Sequence, residues 1–153
     1  RAFGLGIQRI FYDVLLNHRG LVVDLWSQHG PWWGKPFYVL SYPLIARGTR
    51  NLYKIRPDKV SEAKDNFRRV FDETDRLISS RPYFGGDAPH RTDIAVASLL
   101  APMVRPAEHK VKWPEFPDEA KPFVAEFEGR PTWKFVEGMY QHHRASSHPR
   151  PAV

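Results

Sequence analysis

The side chains of this chain best suited to chemistry are its seven histidines: His18, His29, His90, His109, His142, His143 and His148. Imidazole binds zinc or iron, and on a helix that needs ligands three or four residues apart with carboxylates nearby. His142 and His143 are adjacent and leave a helix on different sides. Asp13 and Asn17 flank His18 at workable distances but complete no ligand motif. Cysteine is absent, which excludes disulfides, thiolate zinc sites and a cysteine nucleophile within these residues. No serine sits on a strand-to-helix elbow, so the sequence does not support a Ser-His-Asp triad. The expectation is no metal site. Arg47-Gly-Thr-Arg50 and Arg68-Arg69 have the guanidinium chemistry to hold a carboxylate or phosphate, although a solvated surface is the commoner use of such residues.

The most ordered signal lies between Tyr83 and Leu100. An aromatic pair, Tyr83-Phe84, is followed by Gly85-Gly86, and Asp93 then opens a short segment of small and apolar residues. Glycine takes left-handed backbone without a Cβ penalty, so Gly85 and Gly86 are suited to end a helix. A carboxylate at the start of the next helix accepts hydrogen bonds from free backbone N–H groups and opposes the helix dipole. Asp93 therefore reads as a structural cap rather than a catalytic acid. The segment Ile94 to Leu100 reads as a helix buried on most faces.

Around these residues the pattern is helical throughout. Apolar residues at Ile7, Ile10, Phe11, Val14, Leu15, Leu21, Val22, Leu25 and Trp26 keep the three-and-four spacing of one face, predicting a helix from Gly6 to Trp26 that ends by Gly30-Pro31. Trp32 and Trp33 follow and are expected to plug a gap between helices. A helix bent or broken at Pro43 is expected over Phe37 to Tyr53. Pro57 suits the first turn of the next helix, whose face carries Val60, Ala63, Phe67, Val70, Phe71, Leu77 and Ile78 and which ends before Arg81-Pro82. The helix opened near Asp93 is expected to stop at Pro102. One further helix starts near Asp118 and is ended by Gly129; the last starts at Pro131 and carries Trp133, Phe135, Val136, Met139 and Tyr140. No segment shows a convincing strand pattern. The predicted fold is an all-α helical bundle of five to seven helices over residues 1–144, with a loose tail over 145–153.

Composition sets further limits. At 153 residues, with 42% apolar and 14% aromatic side chains, the chain has the size and content of one ordinary globular domain. No apolar run approaches the roughly 18–20 residues that span a membrane. No signal peptide is visible, and the start at Arg1 reads as a cut with sequence expected upstream. The net charge of +6 raises the question of nucleic acid. Its cations, however, alternate with acids, as in Lys64-Asp-Asn-Phe-Arg-Arg69, which favours a solvated helical surface.

Taken in order, these elements resemble the C-terminal helical domain of the glutathione transferase superfamily. The matching features are Tyr83-Phe84-Gly85-Gly86, the loop Asp87 to Thr92, Asp93-Ile94 opening the central helix, then Phe123 to Glu128, Gly129-Arg130-Pro131 and Trp133 to Arg144. The resemblance covers residues 3–144 and extends to bacterial members with an Ala-Pro-Met-Val-Arg-Pro-like segment, here Ala101 to Pro106. One position departs from the pattern: His90 stands where the family usually has the Ser or Thr of a capping box.

The resemblance implies a thioredoxin-like domain upstream, which would hold most of the glutathione site and the catalytic residue. This chain would then carry no catalytic residue of its own. It would supply one wall of the pocket for a hydrophobic electrophile, with glutathione as co-substrate, and part of a homodimer interface. The wall would come largely from the first long helix, which makes Tyr12, His18, Arg19 and Trp26 the pocket candidates. The implied compartment is the cytoplasm. The alternative is a non-enzymatic protein–protein interaction module with the same helical fold.

Overall fold

The computed structural model describes residues 2–28 and 30–143. His29, His148 and the tail 145–153 lie outside the described residues. Among the described residues there are seven helices, α1 (Ala2–Leu15), α2 (Arg19–Ser27), α3 (Gly34–Leu52), α4 (Pro57–Ile78), α5 (Arg91–Val104), α6 (Lys121–Ala125) and α7 (Pro131–His143). The only β-type pairing among them is an isolated bridge between Tyr83 and Gly86. The fold is all-α. No helix among the described residues is long and apolar enough to cross a membrane.

The chain forms two compact units. One comprises the residues up to Val70 together with Val111–Phe123; the other comprises Phe71–Lys110 and the chain from Val124 onward.

In the first unit the long helix expected from Gly6 to Trp26 is two helices. The chain breaks over Leu16, Asn17 and His18, although the apolar spacing continues in phase across the gap. The break is held from α3. The Tyr42 hydroxyl donates to the Leu16 carbonyl at 2.9 Å, and Arg50 donates to the same carbonyl at 3.3 Å and to Asn17 Oδ1 at 2.8 Å. Side chains 26 to 34 residues away satisfy the carbonyl that α1 leaves open, and no local periodicity reveals them. Leu16, Val22, Val23, Tyr42 and Ala46 form the core here, with Tyr12, Leu15, Trp26 and Tyr38 packed against it.

Helix α3 runs unbroken through Pro43. Proline lacks the N–H that would bond the carbonyl four residues earlier, that of Val39. The Arg19 guanidinium donates to that carbonyl instead. The indoles do not plug a gap: Trp32 is 90% exposed and Trp33 is 54% exposed. Gly30 and Pro31 place both at a surface turn leading into α3.

In the second unit α5 packs on α7. Helix α5 carries Pro102 inside it and continues to Val104, because that proline removes a single donor. It ends at Arg105, whose left-handed backbone (φ 56°) precedes Pro106 and whose N–H returns to Ala101 O at 2.8 Å. Burial pushes the Arg105 pKa down to about 10. One face of α5, with Asp93, Ala97, Leu100, Ala101 and Val104, is buried, whereas Ile94 is 59% exposed and Leu99 lies at the surface. The expectation of burial on most faces fails, because small apolar side chains alone do not require cover.

The helix expected from Asp118 to Gly129 is α-helical only over Lys121–Ala125, with turns on either side, yet Ala120, Phe123, Val124 and Phe127 are all buried as the spacing predicts. The Phe71 and Phe127 rings lie 4.7 Å apart, a pairing worth about 0.5–1.5 kcal/mol beyond area burial.

Candidate functional site

Asp93 caps the central helix of the second unit, as its sequence position predicts. It is fully buried. Its Oδ1 accepts the Phe84 N–H and its Oδ2 accepts the His90 N–H, both at 2.8 Å. One carboxylate thus ties the start of α5 to the turn that ends the preceding segment. The two glycines serve different purposes. Gly86 has φ +115°, which L side chains rarely adopt, and it closes the turn by exchanging backbone bonds with Tyr83. Gly85 lies beside the His90 ring, and a Cβ there would come within 1.9 Å of it, so that exposed ring would have to turn away.

A second carboxylate acts in the same way and has no comparable signature in the sequence. Asp75 on α4 accepts the Thr132 N–H of α7 at 2.8 Å and the Arg130 Nε at 2.7 Å. Arg130 also reaches Asp72 at 2.5 Å and stacks over the Phe71 and Phe127 rings. Burial works against the Arg130 charge, but the hydrogen bonds it donates to Asp72 and Asp75 outweigh it and raise its pKa. The Gly129-Arg130-Pro131 segment is therefore a docked helix start. Its signal was the arginine between helix-ending glycine and helix-starting proline.

The four pocket candidates all lie in the first unit, and the structure gives each a packing partner. The Tyr12 ring is 5.3 Å from that of Tyr53. Burial and the neighbouring Tyr53 raise the Tyr12 pKa, so its phenol stays protonated at neutral pH. Trp26 lies 5.8 Å from Tyr38. Tyr12 and Trp26 share the core cluster of α1, α2 and α3, and Arg19 joins it with its guanidinium 5.8 Å from the Tyr42 ring centroid. His18 opens α2 without a side-chain cap bond and faces Glu119 at 3.4 Å, within ion-pair reach but without hydrogen-bond geometry. The structure brings three of the four to one cluster and sends His18 elsewhere. Among the described residues, no group of three His, Asp or Glu side chains is placed to hold a metal.

Because Arg19 serves a carbonyl stranded by Pro43, Arg19→Ala is expected to lower stability by about 1 kcal/mol, at the low end for a charged hydrogen bond because the site is exposed. Urea unfolding measures it. In a Pro43→Ala background, which restores the missing N–H, the same change should cost less than half as much.

Helix α3 has two apolar faces. Tyr42 and Ala46 point into the core. On the opposite side Trp33, Phe37, Leu40 and Leu44, spaced 4, 3 and 4 residues apart, form one narrow stripe that is 54%, 52%, 83% and 77% exposed. Four large apolar side chains in line leave an exposed apolar stripe on this side of α3.

No protein-family model, curated protein or solved structure matches this chain.

Proposed function

We infer that this chain is the C-terminal helical domain of a glutathione-transferase-like protein. In this reading an upstream thioredoxin-like domain binds glutathione and activates its thiol. The helical domain contributes a wall of the pocket for a hydrophobic electrophile and part of a homodimer interface. The observation that carries the reading is the Tyr83-to-Asp93 unit. The order aromatic, Gly-Gly, loop and helix-opening aspartate is the order of the family, and here the aspartate joins the two segments that such a motif would have to join. Tyr12 and Trp26, aromatic and half-buried beside the first two helices, are the side chains with the chemistry to meet an apolar electrophile.

The test uses the protein with its upstream sequence. It is expected to bind glutathione and conjugate it to an activated chloroarene, whereas the present 153 residues alone conjugate nothing. Failure of the longer protein to bind glutathione overturns the enzymatic reading.

The α3 stripe supports the homodimer, because a straight 4-3-4 seam is self-complementary across a two-fold axis. The double variant Leu40→Glu/Leu44→Glu is expected to sediment as a monomer where the wild type is a dimer. Both residues are exposed, so circular dichroism should still report a folded helical chain, and its melting temperature should lose the concentration dependence that dimerisation gives the wild type. A wild-type chain that is monomeric at high micromolar concentration removes the dimer. The same stripe favours the second reading, an interaction module without catalysis. That reading gains if the longer protein neither binds glutathione nor conjugates the chloroarene and a single partner protein protects the stripe from hydrogen exchange.

A further inference from the structure

The corner where α3 turns into α4 holds a cleft of about 620 Å³ lined by Arg50, Asn51, Lys54, Ile55, Arg56 and Lys59. Four of these six residues are cations. The corner is stiff: the Tyr53, Lys54 and Ile55 N–H groups all return to carbonyls of the last turn of α3, and Lys54 is fixed in the left-handed region at φ 49°. Arg9 braces the same turn by donating to the Tyr53 carbonyl at 2.8 Å.

The charges are not balanced. Arg56 pairs with Asp58 at 2.9 Å and Lys59 with Glu62 at 2.7 Å. Arg50 spends its hydrogen bonds on neutral oxygens, those of Leu16 and Asn17, and so keeps its full charge while its guanidinium is held in place. Lys54 makes no ion pair among the described residues and is exposed at the rim. Arg9, too, bonds a neutral carbonyl. Arg50 and Lys54 are left without a carboxylate in one concave corner. Like charges gathered this way repel one another, and an anion bridging them removes the repulsion.

We propose that this cleft binds a compact polyanionic small molecule bearing phosphate or carboxylate groups. The volume exceeds that of a single phosphate, and the cations come from both helices, so the ligand carries at least two anionic groups. Arg50 supplies a pre-oriented fork and Lys54 an unpaired ammonium; Arg56 and Lys59 add cations whose charge Asp58 and Glu62 only partly offset; Asn51 adds a neutral amide able to donate or accept. The proposal is independent of the transferase reading, because none of these residues belongs to the pocket candidates.

The test is calorimetric titration of the full chain at low ionic strength, with inorganic pyrophosphate in one arm and citrate in the other. Saturable binding with one site is expected for at least one of them, and the tighter arm names the anionic group. Lys54→Gln/Arg56→Gln is expected to weaken it at least tenfold. The control Arg69→Gln/Lys134→Gln removes the same net charge from exposed positions elsewhere and should weaken binding less than twofold. Equal losses in both double variants overturn the proposal, because the ligand would then be sensing net charge alone. So does the absence of saturable binding in both arms. A third arm with single-stranded DNA settles the remaining source of phosphate. DNA binding that falls steeply with salt, without pyrophosphate or citrate binding, assigns the corner to a nucleic-acid backbone and rejects the small molecule. Circular dichroism of each variant checks folding, and Lys54→Gln alone, an exposed change, keeps the test decisive if the double variant misfolds.

Discussion

Asp93→Ala is expected to lower the free energy of unfolding by about 3 kcal/mol, combining the roughly 0.5–2 kcal/mol of a helix cap with the roughly 1–3 kcal/mol cost of stranding a buried donor. The carboxylate is fully buried and holds the Phe84 and His90 N–H groups at 2.8 Å each. Alanine leaves both part-buried donors without their acceptor, and it disconnects the turn at Gly85-Gly86 from α5. For a chain of this size the loss corresponds to a fall in melting temperature of about 6–12 °C. Asp93→Asn keeps one carbonyl oxygen but sets an N–H₂ against the other backbone donor, so it should cost about half as much or more. Thermal and urea unfolding followed by circular dichroism decide it. A fall of less than 2 °C for the alanine variant would show that the loop and the helix are held by packing alone.

Asp75→Ala is the second large effect, about 2–3 kcal/mol, because a buried backbone donor at the start of α7 loses its acceptor and a charged partner loses one of two carboxylates. Thr132 is fully buried, so its N–H has no water to turn to. Arg130 retains Asp72 and its stacking on Phe71 and Phe127, which limits the damage. The neighbouring Asp72→Ala provides the contrast. Its carboxylate is 58% exposed, and an exposed pair contributes at most about 1 kcal/mol. A double-mutant cycle between Asp75→Ala and Arg130→Gln is expected to show coupling of about 1–2 kcal/mol, within the range for residues sharing one network. Additive losses would mean that Arg130 acts through its ring stacking and not through Asp75.

These two carboxylates show what a sequence makes legible. Asp93 is visible because everything it does is local: a glycine pair before it, an apolar helix after it, and donors three and nine residues upstream. Asp75 sits in the middle of a regular amphipathic helix, and its acceptor role exists only because α7 starts beside it, 57 residues later. The break at Leu16 to His18 was hidden for the same reason. The apolar spacing stays in phase across it, and the groups that hold it open, Tyr42 and Arg50, come from another helix. Pro43 was legible as a perturbation, but its consequence, a helix kept whole by Arg19, depends on how α2 lies against α3 in their common unit. Trp32 and Trp33 were misplaced because hydrophobicity gives no address: an indole covered by a neighbour and one left at the surface have the same sequence.

The sequence by itself determined the helical class, the bounds of α4 and α7 and the Asp93 cap. Those properties follow from periodicity and from capping groups within one or two turns of the backbone they serve. Only the tertiary structure decided which apolar stripe of α3 is buried and which is left open, that Asp75 and Arg130 dock α7, and that Arg9 reaches the turn between α3 and α4. Each of these depends on surfaces brought together by chain reversal, and neither residue type nor local spacing records the distance between side chains that are far apart along the chain.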